Sequence, residues 1–204
     1  VAVEKPVLST TSYAILGLLA IKPWSTYELA QQVKYSLNFF WPRTERQLYE
    51  QPKVLVAAGL ATARKEHVGR RPRTVYAITA KGRRALRAWL AEPAAAPQLE
   101  WEGMLKVFFA ESSTKEQLAA HLRDIADARR RATAHNRRVR RERLEDFPFP
   151  ERLHLAGLVN RFFTEYGAAI ERWADWAAAE VDSWPDISGP ATPAARDRLV
   201  AQTF

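Results

Sequence analysis

Three short stretches with helical spacing open the chain, each preceded by a residue able to cap a helix. Tyr13, Ile15, Leu16, Leu18 and Leu19 form a broad apolar face behind Leu8-Ser9-Thr10-Thr11, which predicts a first helix stopped by Lys22-Pro23-Trp24. Ser25-Thr26-Tyr27-Glu28 has the spacing of a capping box and opens a second helix with Leu29, Ala30 and Val33 inward. Phe39-Phe40-Trp41-Pro42 breaks the pattern. Thr44-Glu45-Arg46-Gln47 is a second candidate box, starting a third helix that carries Leu48, Tyr49, Leu55 and Val56 and ends near Gly59. The pattern then shortens to strand-like runs over residues 60–66 and 74–79, separated by His67-Val68-Gly69-Arg70-Arg71-Pro72-Arg73, whose Gly and Pro punctuate a turn. Thr79 can cap a fourth helix bearing Leu86, Trp89 and Leu90.

Two prolines four residues apart in Glu92-Pro93-Ala94-Ala95-Ala96-Pro97 discourage a helix and predict a linker. Beyond it the pattern is helical throughout, first over residues 99–110. A long segment over 114–146 spaces Leu118, Leu122, Ile125, Ala128, Ala132 and Val139 by threes and fours. Phe147-Pro148-Phe149-Pro150 ends it, and a second long segment over 151–184 follows. That segment carries Leu155, Val159, Phe162, Tyr166, Ala169, Trp173 and Trp176 along one stripe. Two such helices make an antiparallel hairpin that cannot bury this stripe alone, so a symmetric homodimer is expected. The predicted organisation is 1–92 as a winged helix-turn-helix, 93–98 as linker, 99–184 as a helical dimerisation domain and 185–204 as a flexible tail. The fold class is mostly α with a small β-hairpin.

Three helices followed by a hairpin with arginines at its tip is the order of a winged helix-turn-helix, which lays one helix in a DNA groove and the wing on the flanking backbone. Charge sharpens this. The chain has 31 Lys or Arg against 23 acids, but residues 1–95 hold 15 against 6 and the remainder 16 against 17. The basic excess therefore lies wholly in the part with the hairpin, as a polyanion reader joined to a neutral module would have it. With no cysteine there are no disulfides or thiolate metal sites. The longest apolar run, over residues 13–21, is too short for a bilayer, and no signal-peptide pattern flanks it. The expectation is a cytoplasmic protein without a membrane partner.

The motif order resembles the PadR-type transcriptional regulators. Ala14-Ile15-Leu16-Gly17-Leu18-Leu19, Ser25-Thr26-Tyr27-Glu28-Leu29, Phe40-Trp41-Pro42, Gln47-Leu48-Tyr49 and Gly59-Leu60 carry the likeness. Gly69-Arg70-Arg71-Pro72-Arg73-Thr74-Val75-Tyr76 resembles the family's wing and Thr79-Ala80-Lys81-Gly82-Arg83 its fourth helix. The resemblance implies an N-terminal winged helix, C-terminal helices that dimerise, and a repressor reading a short inverted repeat. Two departures stand out. Thr26 replaces the usual glycine before the tyrosine, and Pro52 falls inside the third helix, where a kink over residues 48–52 is expected.

The residues expected to touch double-stranded DNA are Arg43, Thr44, Arg46, Gln47, Tyr49 and Lys53 of the third helix and Arg70, Arg71 and Arg73 of the wing. Arg and Gln can form bidentate bonds to base edges, whereas Lys and Tyr suit phosphates. Glu50 would repel phosphate and is left out. A second basic cluster, Arg129-Arg130-Arg131 with Arg137-Arg138-Val139-Arg140-Arg141, has acids at helical spacing and reads as a solvated, ion-paired face. Trp101, Phe108, Phe162, Tyr166 and Trp173 are candidates for a small aromatic effector, against the alternative of plain core. The histidines, at 67, 121, 135 and 154, have no metal-binding spacing, and no nucleophile or phosphate-loop motif is present, so neither metal, cofactor nor enzymatic activity is expected. The alternatives are a MarR-like winged-helix regulator, disfavoured because so little precedes Leu8, and a winged-helix protein-interaction adaptor that does not bind DNA.

Overall fold

The structure, a computed structural model, describes residues 8–37, 40–41, 44–69, 71–144 and 147–201. The side chains of Glu45, Val68, Arg71, Arg140, Glu142, Arg143 and Leu144 lie outside that description. The chain divides at Pro97 and Gln98 into two compact units.

In the first unit, helix α1 (Thr10–Ile21) starts where the Ser9 side chain accepts the Ser12 N–H. Strand β1 (Trp24–Ser25) leads directly into α2 (Thr26–Ser36), and Ser25 and Glu28 close a full capping box at their junction. Helix α3 (Glu45–Ala57) is capped reciprocally by Thr44 and Gln47. It passes through Pro52 without ending. Pro52 donates no hydrogen bond to the Leu48 carbonyl, but its ring is fully buried and fills the core beside Leu55. The sheet runs β1-β3-β2, with β2 (Ala61–Val68) and β3 (Arg71–Ile78) antiparallel. Helix α4 (Ala80–Leu90) begins on the Thr79 cap.

The sheet corrects the expected wing in two ways. A third strand joins the hairpin, because Trp24 and Ser25 pair with Tyr76 and Val75. The hairpin is also longer and its turn tighter, with Val68 opposite Arg71. Gly69 takes a φ of +61°, a left-handed conformation that glycine adopts without strain. Arg71, Pro72 and Arg73 therefore belong to a strand and not to a loop. Pro72 is tolerated there because β1 covers β3 only at Val75 and Tyr76, leaving an open edge beside it.

Ile15, Leu16, Leu19, Leu29 and Leu55 are fully buried where α1, α2 and α3 meet. The Trp24 indole closes this core against the sheet by donating to the Leu18 carbonyl at 2.8 Å. Tyr13 stacks on Trp89 at 4.8 Å between ring centres, tying α4 to α1.

The second unit starts with α5 (Glu102–Phe108) and a 3-10 turn (Ala110–Ser112). Helices α6 (Lys115–Leu144) and α7 (Leu153–Asp182) follow, antiparallel and 30 residues each, which is about 45 Å of helix. Small residues let them approach: Ala119, Ala126, Ala174 and Ala178 are buried between them, with Leu118, Leu122 and Val181 at one end. Gly167 makes room for the Arg129 guanidinium, which a Cβ there would strike at 2.1 Å. Of the expected ion-paired face the structure shows Arg130 with Asp127 at helical spacing, and the other ion pairs here join α6 to α7. Arg130 meets Asp127, Glu171 and Asp175, and Arg123 meets Asp182. The segment after Pro185, expected to be poorly ordered, instead carries helix α8 (Pro193–Ala201).

Candidate nucleic-acid interface

Helix α3 sorts its residues by face. Leu48, Pro52 and Leu55 point into the core, while Arg46, Gln47, Tyr49, Glu50 and Lys53 are exposed. Ser12 of α1 donates to the Gln51 side-chain oxygen at 2.7 Å, which fixes the rotation of α3 about its axis. Sequence reasoning missed this tether, since nothing in the local pattern pairs positions 39 residues apart.

The exposed residues are not equally available. Thr44 and Gln47 bind each other's backbone N–H groups at 3.4 and 3.3 Å, so both side chains are engaged in the cap. Lys53 donates to Glu50 at 2.9 Å, and that contact raises its pKa. Arg46 is exposed on the first turn of α3, and Tyr49 is 38% exposed one turn further along. Arg43 and Arg70 lie outside the described residues, as does the Arg71 side chain.

Arg73 departs furthest from the expectation. It is on β3 opposite Glu66, donates to that carboxylate at 3.0 Å, and lies 3.8 Å from Glu28 of the α2 capping box. Arg64 donates to the other oxygen of Glu66. One exposed ionic cluster thus links both wing strands to the start of α2. Hydrogen bonds from Arg73, then Arg64, hold the Glu66 carboxyl below the usual range. Hydrogen bonds from Ser25, with the nearby Arg73 charge, do the same for Glu28. Depressed carboxylates stabilise the fold at neutral pH and lose that contribution as pH falls through the lowered values, so this ionic link should weaken only in acid, while the pairing of β1 with β3 remains. Because Glu66 competes with phosphate for two arginines, Glu66→Gln should steepen the salt dependence of DNA binding, by up to about 2 in log–log slope. Titrations in a salt series check this, and an unchanged slope would mean that neither arginine can reach DNA.

In the second unit the candidate aromatics separate into groups. Trp101 meets Trp173 edge-on at 5.8 Å, and Phe162 stacks on Tyr166 at 6.2 Å. Phe108 packs edge-on against Phe109 but is 76% exposed. Of the five, Trp173 lines a cavity at the end of α7, beside Trp176 and Trp184. Among the described residues no cluster of His, Asp and Glu could hold a metal, and no helix is long and apolar enough to cross a membrane.

A capped helix held against a three-stranded sheet whose hairpin carries arginines defines a winged-helix protein. Residues 15–88 match the Transcriptional regulator PadR-like family, and residues 101–182 match the family described as Virulence activator alpha C-term. The first unit thus carries a PadR-like transcriptional-regulator domain over residues 15–88. Among curated relatives, a probable transcriptional regulator of Mycobacterium tuberculosis is 39% identical over 83 residues, 40% of this chain and 43% of that protein. The negative transcriptional regulator PadR of Bacillus subtilis is 30% identical over 114 residues, 55% of this chain and 63% of that protein. The chain thus spans less than two thirds of either relative. The crystal structure of Bacillus subtilis PadR in complex with operator DNA has a TM-score of 0.73 at 26% identity, covering 85% of this chain and 99% of that one. The same Bacillus protein in complex with p-coumaric acid is similar in fold, with a TM-score of 0.71 at 24% identity over the same shares.

Proposed function

We propose that this protein is a DNA-binding transcriptional regulator that works as a homodimeric repressor on a short inverted repeat. The observation that carries the reading is the exposed face of α3, held rigidly by Ser12 and the Thr44 cap beside a wing rich in arginine. The operator complex of the Bacillus relative supports it. Residues 1–92 act as the DNA-binding part, 99–184 as the dimerising part, and 93–98 join them. Arg46 and Tyr49 are the described α3 residues free to meet DNA without breaking a local contact, while Gln47 and Lys53 must exchange partners to do so. The adaptor alternative rested on Pro52, and α3 runs through that proline unbroken. A small aromatic effector held by the helical unit would complete the regulator, because a ligand regulates only by favouring one dimer geometry.

Selecting DNA fragments with the purified protein and sequencing them tests the proposal. A pseudo-palindrome is expected, and a random pool would refute it. Arg46→Ala should relax preference at one base pair by about 1 to 3 kcal/mol. Arg71→Ala should weaken binding to every sequence and reduce the salt slope by about 1. Competition titrations with matched and mismatched duplexes separate these outcomes.

A further inference from the structure

At one end of the helical unit a cavity of about 320 Å³ opens where the 3-10 turn, α6, the last turns of α7 and helix α8 meet. Its walls include three indoles, Trp173, Trp176 and Trp184, together with the carboxylates Glu111 and Glu180 and, from α8, Leu199. Among the described residues no lysine or arginine lines it. Two of the rings are fixed by contacts of their own. Trp101 meets Trp173 edge-on, and the Trp184 indole donates to a Glu180 oxygen at 3.2 Å.

The two carboxylates differ from the other acids nearby. Glu171 and Asp175 share Arg130, and Asp182 has Arg123. Among the described residues Glu111 and Glu180 have no ion-pair partner. The cation nearest in sequence, Lys115, is held by the Asp182 and Trp184 carbonyls at 3.2 and 2.5 Å and does not line the cavity. Two carboxylate side chains and three indoles thus line one largely apolar space, and no cation is among the described residues of its walls.

We propose that this cavity binds an organic cation of about single-ring size, of the quaternary-ammonium class. Such a cation is weakly hydrated, so it enters an apolar site cheaply, and it is attracted both by the indole faces and by the carboxylates. An uncharged ring of the same shape gains only the apolar contacts. An aromatic acid such as p-coumarate has the wrong charge for these walls. The volume is at the small end of ligand sites, which run from about 300 Å³ upward. The inference deepens the effector reading and rests on it for regulatory meaning, while binding itself is independent of DNA.

Isothermal titration of the full chain with meta-hydroxyphenyltrimethylammonium and with meta-tert-butylphenol, its uncharged isostere, tests the site. The cation should bind at least about 10-fold more tightly. Replacing both acids (E111Q with E180Q) should abolish that preference and leave the phenol's affinity within about twofold. Glutamine at 180 keeps an acceptor for the Trp184 indole, and far-UV circular dichroism checks that the variant folds. Equal affinities, tighter binding of the phenol, or no binding of the cation would overturn the proposal. A parallel arm adds each compound to the DNA-bound protein. Release of DNA by the phenol, without preferential cation binding, would refute the cage and keep the effector reading. Cation binding that leaves DNA affinity unchanged would do the reverse.

Discussion

A chain cut after Pro97 should be a monomer and should bind its operator about 10²- to 10⁴-fold more weakly than the full protein. The cause lies on α7, where Leu155, Leu158, Val159, Phe162 and Tyr166 form an exposed apolar stripe, with Leu158 71% and Phe162 60% exposed. Fully burying side chains of this kind is worth about 1.5 to 3 kcal/mol each, a large driving force for pairing. A two-fold dimer covers the same stripe on both copies at once. With two winged helices joined, the second half-site is engaged as an intramolecular event, and the gain in avidity is of the order stated. The cut should spare the fold of the first unit, whose core of Ile15, Leu16, Leu19, Leu29 and Leu55 lies entirely within it. Sedimentation gives the oligomeric state, and fluorescence anisotropy with labelled operator gives the affinity. A truncated protein that still sediments as a dimer would place the interface in the first unit. One that is monomeric yet binds as tightly would show that each winged helix works alone.

The parts of the fold legible in the sequence are those specified within one turn of chain. Ser25 with Glu28, Thr44 with Gln47, and Thr79 alone each mark a helix start by a side chain three residues from its partner. The long α6 and α7 were readable for a related reason, since their apolar spacing persists over many turns. The wing was harder. Most of residues 62–67 are exposed, so no inside–outside alternation reports the register, and Pro72 looks like a turn residue unless the open edge of β3 is known. A two-residue strand such as β1 has no period to detect at all. The candidate site was legible as a set of residue types but not as a set of available groups. Arg73 looks like a phosphate ligand until Glu66 is seen opposite it, and that pairing depends on the register of the hairpin. Phe162 and Tyr166, four residues apart on α7, meet through helix spacing alone, whereas the contact of Trp101 with Trp173 depends on how the start of α5 packs against α7 and is not written in the local pattern.

Gly82→Ala should destabilise the winged helix, although alanine is the better helix former. Gly82 stands in the first turn of α4, where its N–H donates to the Thr79 hydroxyl at 3.0 Å. The Thr79 hydroxyl in turn donates to the Gly59 carbonyl, the Thr79 N–H donates to the Leu60 carbonyl, and Lys81 reaches the Ala58 carbonyl. These bonds clamp the end of α3, the start of the wing and the start of α4 together. A Cβ on Gly82 would lie 2.1 Å from the Leu60 oxygen and 2.8 Å from Ile78 Cγ1. The first obstacle is backbone and cannot rotate away, so α4 must lift off the clamp. Alanine gains about 1 kcal/mol of helix propensity, but overpacking costs about 1 to 3 kcal/mol and more where backbone must shift. A net loss of about 1 to 2 kcal/mol lowers the melting temperature by several degrees in a domain of this size. The same substitution at Gly17, inside α1 with nothing within 4 Å of its Cβ position, should be neutral or stabilising. Thermal melts of the two variants beside the parent read the difference in sign directly. DNA binding by the Gly82 variant should weaken as well, because the wing hinges on Leu60. If Gly82→Ala melts at or above the parent, the contact between α4 and Leu60 yields without cost, and the clamp does not set the angle of the wing.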